Sequence, residues 1–246
     1  MTILKLCRYV ALPMFLMLGI SHNSGHAQDN ALAQELSASE KSITTIASLT
    51  AKGDLANLET ALEDGLEAGL TVNEIKEVLV HLYAYCGFPR SLRGLRTFIK
   101  VLDQRKEKGI QDTPGAEATV MDDARSKYDR GKENLETLIQ RKLDGPPADY
   151  AAFAPIIEVF LKEHLFADVF ERDVLDYKQR ELVTVSVLAT IGGVEPMLRS
   201  HLNICLSQGF TPEQLEAWVS LVAKNVDKPK MESAKEVMNE VLETKK

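Results

Sequence analysis

The chain of 246 residues is long enough for one large domain or two small ones, with a sizeable core in either case. Hydrophobic residues make up 45% and charged residues 26%, proportions that exclude a disordered or fibrous chain. Lys and Arg number 29 against 36 Asp and Glu, a net charge of −7 that argues against nucleic acid as a partner.

The first segment reads as an export leader. Lys5 and Arg8 precede an apolar run over residues 10–20, and Gly25 and Ala27 stand at −3 and −1 of a cut after Ala27. The run is short for a bilayer span, although an uncleaved anchor is the competing reading. Cys7 precedes the run and so is not placed as a lipoprotein cysteine. Cleavage removes Lys5 and Arg8 and takes the charge from −7 to −9. The mature protein is expected to be periplasmic or secreted, with no stable membrane insertion. It keeps two cysteines, Cys86 and Cys205; export permits a disulfide between them, but spacing does not fix their separation. With no CxxC and no Cys/His cluster, no metal is expected.

The rest of the chain has a helical period. Ile43, Ile46, Ala47 and Leu49, then Leu55, Leu58, Leu62 and Leu66, recur at three and four residues. Thr71 and Glu74 form a capping box that opens a helix through Ile75, Val78, Leu79 and Leu82. Gly87-Phe-Pro89 ends it, and Pro89 suits the first turn of the next helix, which carries Leu92, Leu95, Phe98, Ile99 and Leu102. Residues 108–115 read as a linker, and a charged helix follows with Leu135, Leu138, Ile139 and Leu143 on one stripe. After the break at Asp144-Gly-Pro-Pro147 come helices over 148–166, 179–191 and 196–208, a capping box at Thr211 and Gln214, and a closing helix to Leu242. No stretch alternates long enough to be a strand, so the class is all-α.

The two helical blocks repeat each other. A shift of 140 puts Leu58 on Leu198, Leu62 on Leu202, Gly69 on Gly209, Thr71 on Thr211 and Pro89 on Pro229. Upstream the shift is 139 and matches residues 43–46 to 182–185, with one extra glycine near Gly192-Gly193. Generic helical patterning is the competing explanation, but shared turns and caps favour duplication. The organisation is a leader over 1–27, a first unit over 28–108, a linker with a helical segment over 109–147, and a second unit over 148–246.

Several strings resemble the carboxymuconolactone decarboxylase family, which includes the alkylhydroperoxidase D-like proteins. They are Phe166-Ala-Asp-Val-Phe-Glu-Arg172, Arg180-Glu-Leu-Val-Thr184 and Glu195-Pro-Met-Leu-Arg-Ser-His201 in the second unit, and residues 77–90, ending Tyr85-Cys-Gly-Phe-Pro-Arg90, in the first. The resemblance implies a duplicated alkylhydroperoxidase D-like helical unit and a homo-oligomer. The units have diverged in a complementary way. Glu181 and His201 lie opposite Ser42 and Ala61, whereas His81, Tyr85 and Gly87 lie opposite Leu221, Asn225 and Asp227. A single site built from the better half of each unit is therefore expected.

Glu181 and His201 stand on consecutive helices, and a carboxylate on one imidazole nitrogen fixes the tautomer and raises the basicity of the other. Such a pair suits decarboxylation of a small organic acid or lactone, with His201 as acid/base and Glu181 as its orienter. Arg199 is a candidate anchor for a substrate carboxylate, unless it pairs with Glu195, and His81 and Tyr85 are candidates to line the pocket. A structural Glu–His pair on helix surfaces is the bland alternative. The family's peroxidase branch needs a CxxC, and Gly192-Gly-Val-Glu-Pro196 stands at that place, so a dithiol mechanism is excluded there. Cys205, four residues after His201, leaves open a one-cysteine peroxidase in which an imidazolium lowers the thiol pKa, against a plain buried hydrophobe. A helical binding protein without catalysis is the remaining alternative. No Walker loop, GxGxxG or HExxH is present, so no cofactor is expected.

Overall fold

A computed structural model describes residues 35–244, so the leader expected over 1–27 lies outside the described residues. Several helices begin where the sequence supplies a cap. Ser37 and Glu40 form a capping box that starts α1 (Ala38–Lys52), and Asp54 caps α2 (Leu55–Glu67). Thr71 and Glu74 start α3 (Val72–His81). The next helix, α4 (Tyr83–Glu107), has a non-helical Gly87 (φ 82°, ψ 158°), so a single turn over residues 83–86 is set off from the long helix that carries Pro89 in its first turn.

The second unit repeats this order. Asp176 and Gln179 cap α8 (Tyr177–Ile191), α9 is Glu195–Ser207, Thr211 and Gln214 cap α10 (Pro212–Val222), and α11 is Lys228–Glu243. The caps Ser37 and Asp176 are related by the 139 shift, and Thr71 and Thr211 by the 140 shift. Among the described residues there is no strand, and the chain is all-α with a duplicated helical unit.

The equivalent helices α1 and α8 pack along each other at the centre. Both are buried nearly all round, with Ile43, Ile46, Leu182, Val183 and Val185 at zero exposure. Their buried hydroxyls bond back one turn: Ser48 to Thr44 O, Thr50 to Ile46 O, Ser186 to Leu182 O and Thr190 to Ser186 O. Polar side chains thereby tolerate the core and keep the two helices slim. The exchange is reciprocal, α3 meeting α8 while α10 meets α1, as a pseudo-two-fold arrangement requires.

Between the units the chain is not a free linker. Val72 and Asn73 donate their backbone N–H groups to Thr113 O and Pro114 O, and the Asn73 amide reaches Gly115 O and Ala116 O, pinning residues 113–116 onto the start of α3. Then come α5 (Lys127–Ile139), α6 (Asp149–Phe153), α7 (Pro155–Val159) and a π-helix, Phe160–Val169. The single helix expected over 148–166 is thus three pieces. Pro155 drives the preceding Ala154 out of the helical region (φ −131°, ψ 78°), and the chain then widens into π geometry. The helix α5 docks on that π-helix backbone to backbone, since a Cβ on Gly131 would fall 1.8 Å from Lys162 O. Together they form a second small core of Leu138, Leu165, Phe166, Val169 and Phe170, shared with Ile204 of α9. Among the described residues no helix is long and apolar enough to cross a membrane.

Candidate active site

Arg180 and Glu181 are neighbours on α8 and both have zero exposure. Two opposite charges enter a core only with partners. Glu181 Oε2 accepts a hydrogen bond from His201 Nδ1 of α9 at 2.8 Å. A carboxylate only accepts, so Nδ1 carries the proton and a neutral His201 presents its lone pair at Nε2. That nitrogen makes no hydrogen bond among the described residues, and the His201 side chain is 15% exposed.

The first unit supplies the opposite wall. The Tyr85 ring stands edge-on to His201 with centroids 5.8 Å apart, and 5.5 Å from His81. Tyr85 belongs to the one-turn segment between Leu82 and the Gly87 break, which frees it from the long axis of α4. Its hydroxyl oxygen is buried without a hydrogen-bond partner, as are Glu181 Oε1 and Arg180 Nε. Burial, and then the Glu181 carboxylate, push the Tyr85 hydroxyl well above its ordinary range, so it remains a proton carrier.

Behind this wall lies a charged layer that sequence reasoning missed. Arg180 donates from Nη1 to His81 Nδ1 at 3.1 Å and from Nη2 to Glu77 Oε1 at 2.8 Å. Arg172 closes the other side of Glu77 at 2.9 Å. Since arginine only donates, His81 Nδ1 must be an acceptor, and Nε2 donates to Thr184 Oγ1 at 3.0 Å. Burial first, then the Arg180 guanidinium and His201, hold the His81 imidazole well below its usual range, so it is neutral. Phe170, at the end of the π-helix, lies edge-on to His81 at 5.1 Å and under the Arg180 guanidinium. Glu77 and Arg180 both occur inside the strings that carried the family resemblance. Local spacing carried no signal for them, since each stands among other polar residues, Glu77 after Asn73-Glu-Ile-Lys76 and Arg180 between Gln179 and Glu181.

Two expected site residues are placed elsewhere. Arg199, half exposed, forms an ion pair with Glu240 of α11. Two positions before His201 it lies on another side of α9, and Glu195, its alternative partner, instead accepts from Ser233 Oγ at 2.9 Å and from the Gly193 N–H. Cys205 is fully buried one turn beyond His201, and burial followed by the Glu181 carboxylate pushes its thiol well above the ordinary range. An imidazolium does not lower it. Cys86 is pushed up to about 11 by burial, and Cys86 and Cys205 are free thiols rather than a disulfide. Among the described residues no group of three His, Cys, Asp or Glu is arranged to hold a metal.

The profile of the carboxymuconolactone decarboxylase family matches residues 24–99 and 159–240, one region in each helical unit and together more than half the chain. The chain belongs to the carboxymuconolactone decarboxylase family. It is a tandem member, whose two family regions meet at the α1–α8 contact. No curated protein matches it. Relative to the expected units, the segment over 100–158, which holds α5, α6 and most of α7, falls between the two family regions.

Proposed function

We propose that this carboxymuconolactone decarboxylase-like protein is an enzyme that moves a proton to or from carbon in a small organic acid or lactone, without a cofactor. The observation that carries the reading is the buried Glu181 carboxylate, 2.8 Å from His201 Nδ1, with the second carboxylate oxygen unpartnered. A purely structural carboxylate in a core normally has both oxygens satisfied. An unpartnered buried atom costs about 1–3 kcal/mol, and Glu181 Oε1 and the Tyr85 hydroxyl, on the two residues that meet His201, are groups a polar reactant would satisfy.

In decarboxylation the C–CO2 bond breaks, and its electron pair enters the conjugated lactone as a dienolate. His201 in its imidazolium form delivers the Nε2 proton to carbon, and solvent returns it. Glu181 stabilises the imidazolium during that cycle. Tyr85, whose ring stands edge-on to His201, is the unpartnered donor proposed for a developing oxyanion. A thiol peroxidase is less well supported, because Cys205 is buried and its thiolate disfavoured.

The mature chain is proposed to act outside the cytoplasm, on the strength of the leader pattern over 1–27. A homo-oligomer is proposed from exposed Phe88, Leu92 and Ile99, which share a stripe of α4. The test of function is CO2 release from 4-carboxymuconolactone by the parent and by His201→Ala. Release that falls 100-fold or more in the variant is expected, in line with about 10²–10⁴ for general acid–base catalysis. Release that survives the substitution sinks the mechanism.

A further inference from the structure

A concavity that shares no residue with the Glu181–His201 pair lies where the two units meet. It is a cleft of about 350 Å³. Its lining residues pair off under the repeat: Lys52 with Ile191 at the 139 shift, and Cys86 with Val226 and Arg90 with Lys230 at the 140 shift. The cleft therefore lies on the pseudo-two-fold axis that relates the units. Along α8, the nine residue steps from Glu181 to Thr190 at its wall span about 14 Å.

Arg90 and Lys230 reach it in the same way. Each crosses the glycine that ends the central helix of its own unit. The Arg90 guanidinium lies 1.6 Å from where a Cβ on Gly53 would be, and the Lys230 stem 3.2 Å from where a Cβ on Gly192 would be. A Cβ at either glycine would crowd the side chain that crosses it, and both glycines have positive φ (80° and 69°). Lys230 Nζ donates to Thr190 O at 3.1 Å, whereas Arg90 makes no ion pair among the described residues. Lys52 adds a third cation, held loosely by Asp54 at 3.6 Å. Against them stands one carboxylate of the lining, Asp227, the N-cap residue of α11, whose side chain makes no cap hydrogen bond and no ion pair among the described residues. Three cations thus share a small concavity in a chain whose net charge is −7. Like charges on equivalent positions facing one space repel, and a counter-charge between them removes the repulsion. The first turn of the 16-residue α11 opens at the same place without a side-chain cap, leaving backbone N–H donors there.

We propose that this cleft binds a small multivalent oxyanion, phosphate-type or polycarboxylate, between Arg90, Lys230 and Lys52. Because the ligand touches both units, it acts as a clamp on their docking and stabilises the folded chain by mass action.

Titration calorimetry of the purified protein with inorganic pyrophosphate and with citrate, each against sodium chloride of equal ionic strength, tests this. Unfolding is followed in parallel through Trp218, the one tryptophan, which is fully buried. Binding at one site per chain and a raised melting temperature are expected from at least one anion. The tighter of the two identifies a phosphate or a carboxylate source. Arg90→Gln and Lys230→Gln each weaken binding at least tenfold, while Lys76→Gln on the exposed side of α3 leaves it unchanged. Each variant's melting temperature in sodium chloride confirms that it folds, and either cleft variant alone suffices. No binding beyond the chloride control, or equal weakening in Lys76→Gln, overturns the proposal.

Discussion

Arg180 of the second unit donates a hydrogen bond to His81 Nδ1 of the first at 3.1 Å, with both side chains at zero exposure. That contact joins the two halves of the duplicated protein and fixes the imidazole as neutral. It also makes the docking of the units sensitive to pH. Free histidine takes up its proton near pH 6.5, whereas folded His81 resists it. Below that pH the unfolded chain binds a proton that the folded chain refuses, so stability is full above about pH 6.5 and falls as the pH drops. The slope from this one group is at most about 1.4 kcal/mol per pH unit. Carboxylates held low, such as Glu40 and Asp54, lose their contribution only further down, below their ordinary values of 4.5 and 3.8. Urea melts at pH 5.0, 5.75, 6.5 and 7.5 should therefore show a decline that begins at 6.5. His81→Gln, which keeps a donor and an acceptor but does not titrate, should flatten it.

Glu181 and Tyr85 come from different units, and the proposed chemistry needs both. Glu181→Gln retains shape but removes the charge that stabilises an imidazolium, and should lower kcat with little change in KM. Tyr85→Phe removes one unpartnered buried hydroxyl, so it should leave stability unchanged or slightly raised while lowering kcat/KM roughly tenfold. Steady-state kinetics beside thermal melts separates these effects. Activity lost only in Glu181→Gln would mean that the first unit serves as scaffold alone.

Much of this arrangement was legible in the sequence because duplication wrote it twice. The paired capping boxes, the shared glycines and the 139–140 shift locate eight of the helical segments before any coordinates, and the complementary loss at Ser42 and Leu221 points to one composite site. Less legible was anything set by tertiary contact. The π-helix over Phe160–Val169 carries no Gly or Pro that would set it apart from an ordinary helix, and its close backbone approach to Gly131 is a tertiary contact that spacing does not reveal. Arg199 illustrates the same limit. Its partner Glu240 is 41 residues away, beyond the reach of any helical spacing rule.

Gly131 should prove the most sensitive point of the second core. A methyl group there meets the Lys162 carbonyl at 1.8 Å and the Ala167 N–H region at 3.1 Å, both backbone. Backbone cannot swing aside as a flexible side chain does, so α5 must lift from the π-helix. Gly131→Ala should cost about 1–3 kcal/mol despite the higher helix propensity of alanine. It should also increase hydrogen exchange over residues 127–139 and 160–170, while α1 and α8 retain their protection. Uniform protection in the variant would mean that the second core is not a separate docking unit.

Neither Cys86 nor Cys205 is disposed to react with peroxide. Cys205 has zero exposure and lies against the Glu181 carboxylate, so both desolvation and charge oppose its thiolate. Cys86 is half-buried, donates to Leu82 O at 3.2 Å, and has a pKa raised to about 11. With an aromatic disulfide reagent at pH 8, folded protein prepared without residues 1–27, and so without Cys7, should therefore release at most one equivalent, slowly, from Cys86. The second should appear only at the rate of unfolding. Alkylation followed by peptide mapping assigns each equivalent, and Cys86→Ser should leave a folded chain that is inert to the reagent. Rapid reaction at Cys205 in the folded state would require α9 to open beside His201, and would return a one-cysteine peroxidase to consideration.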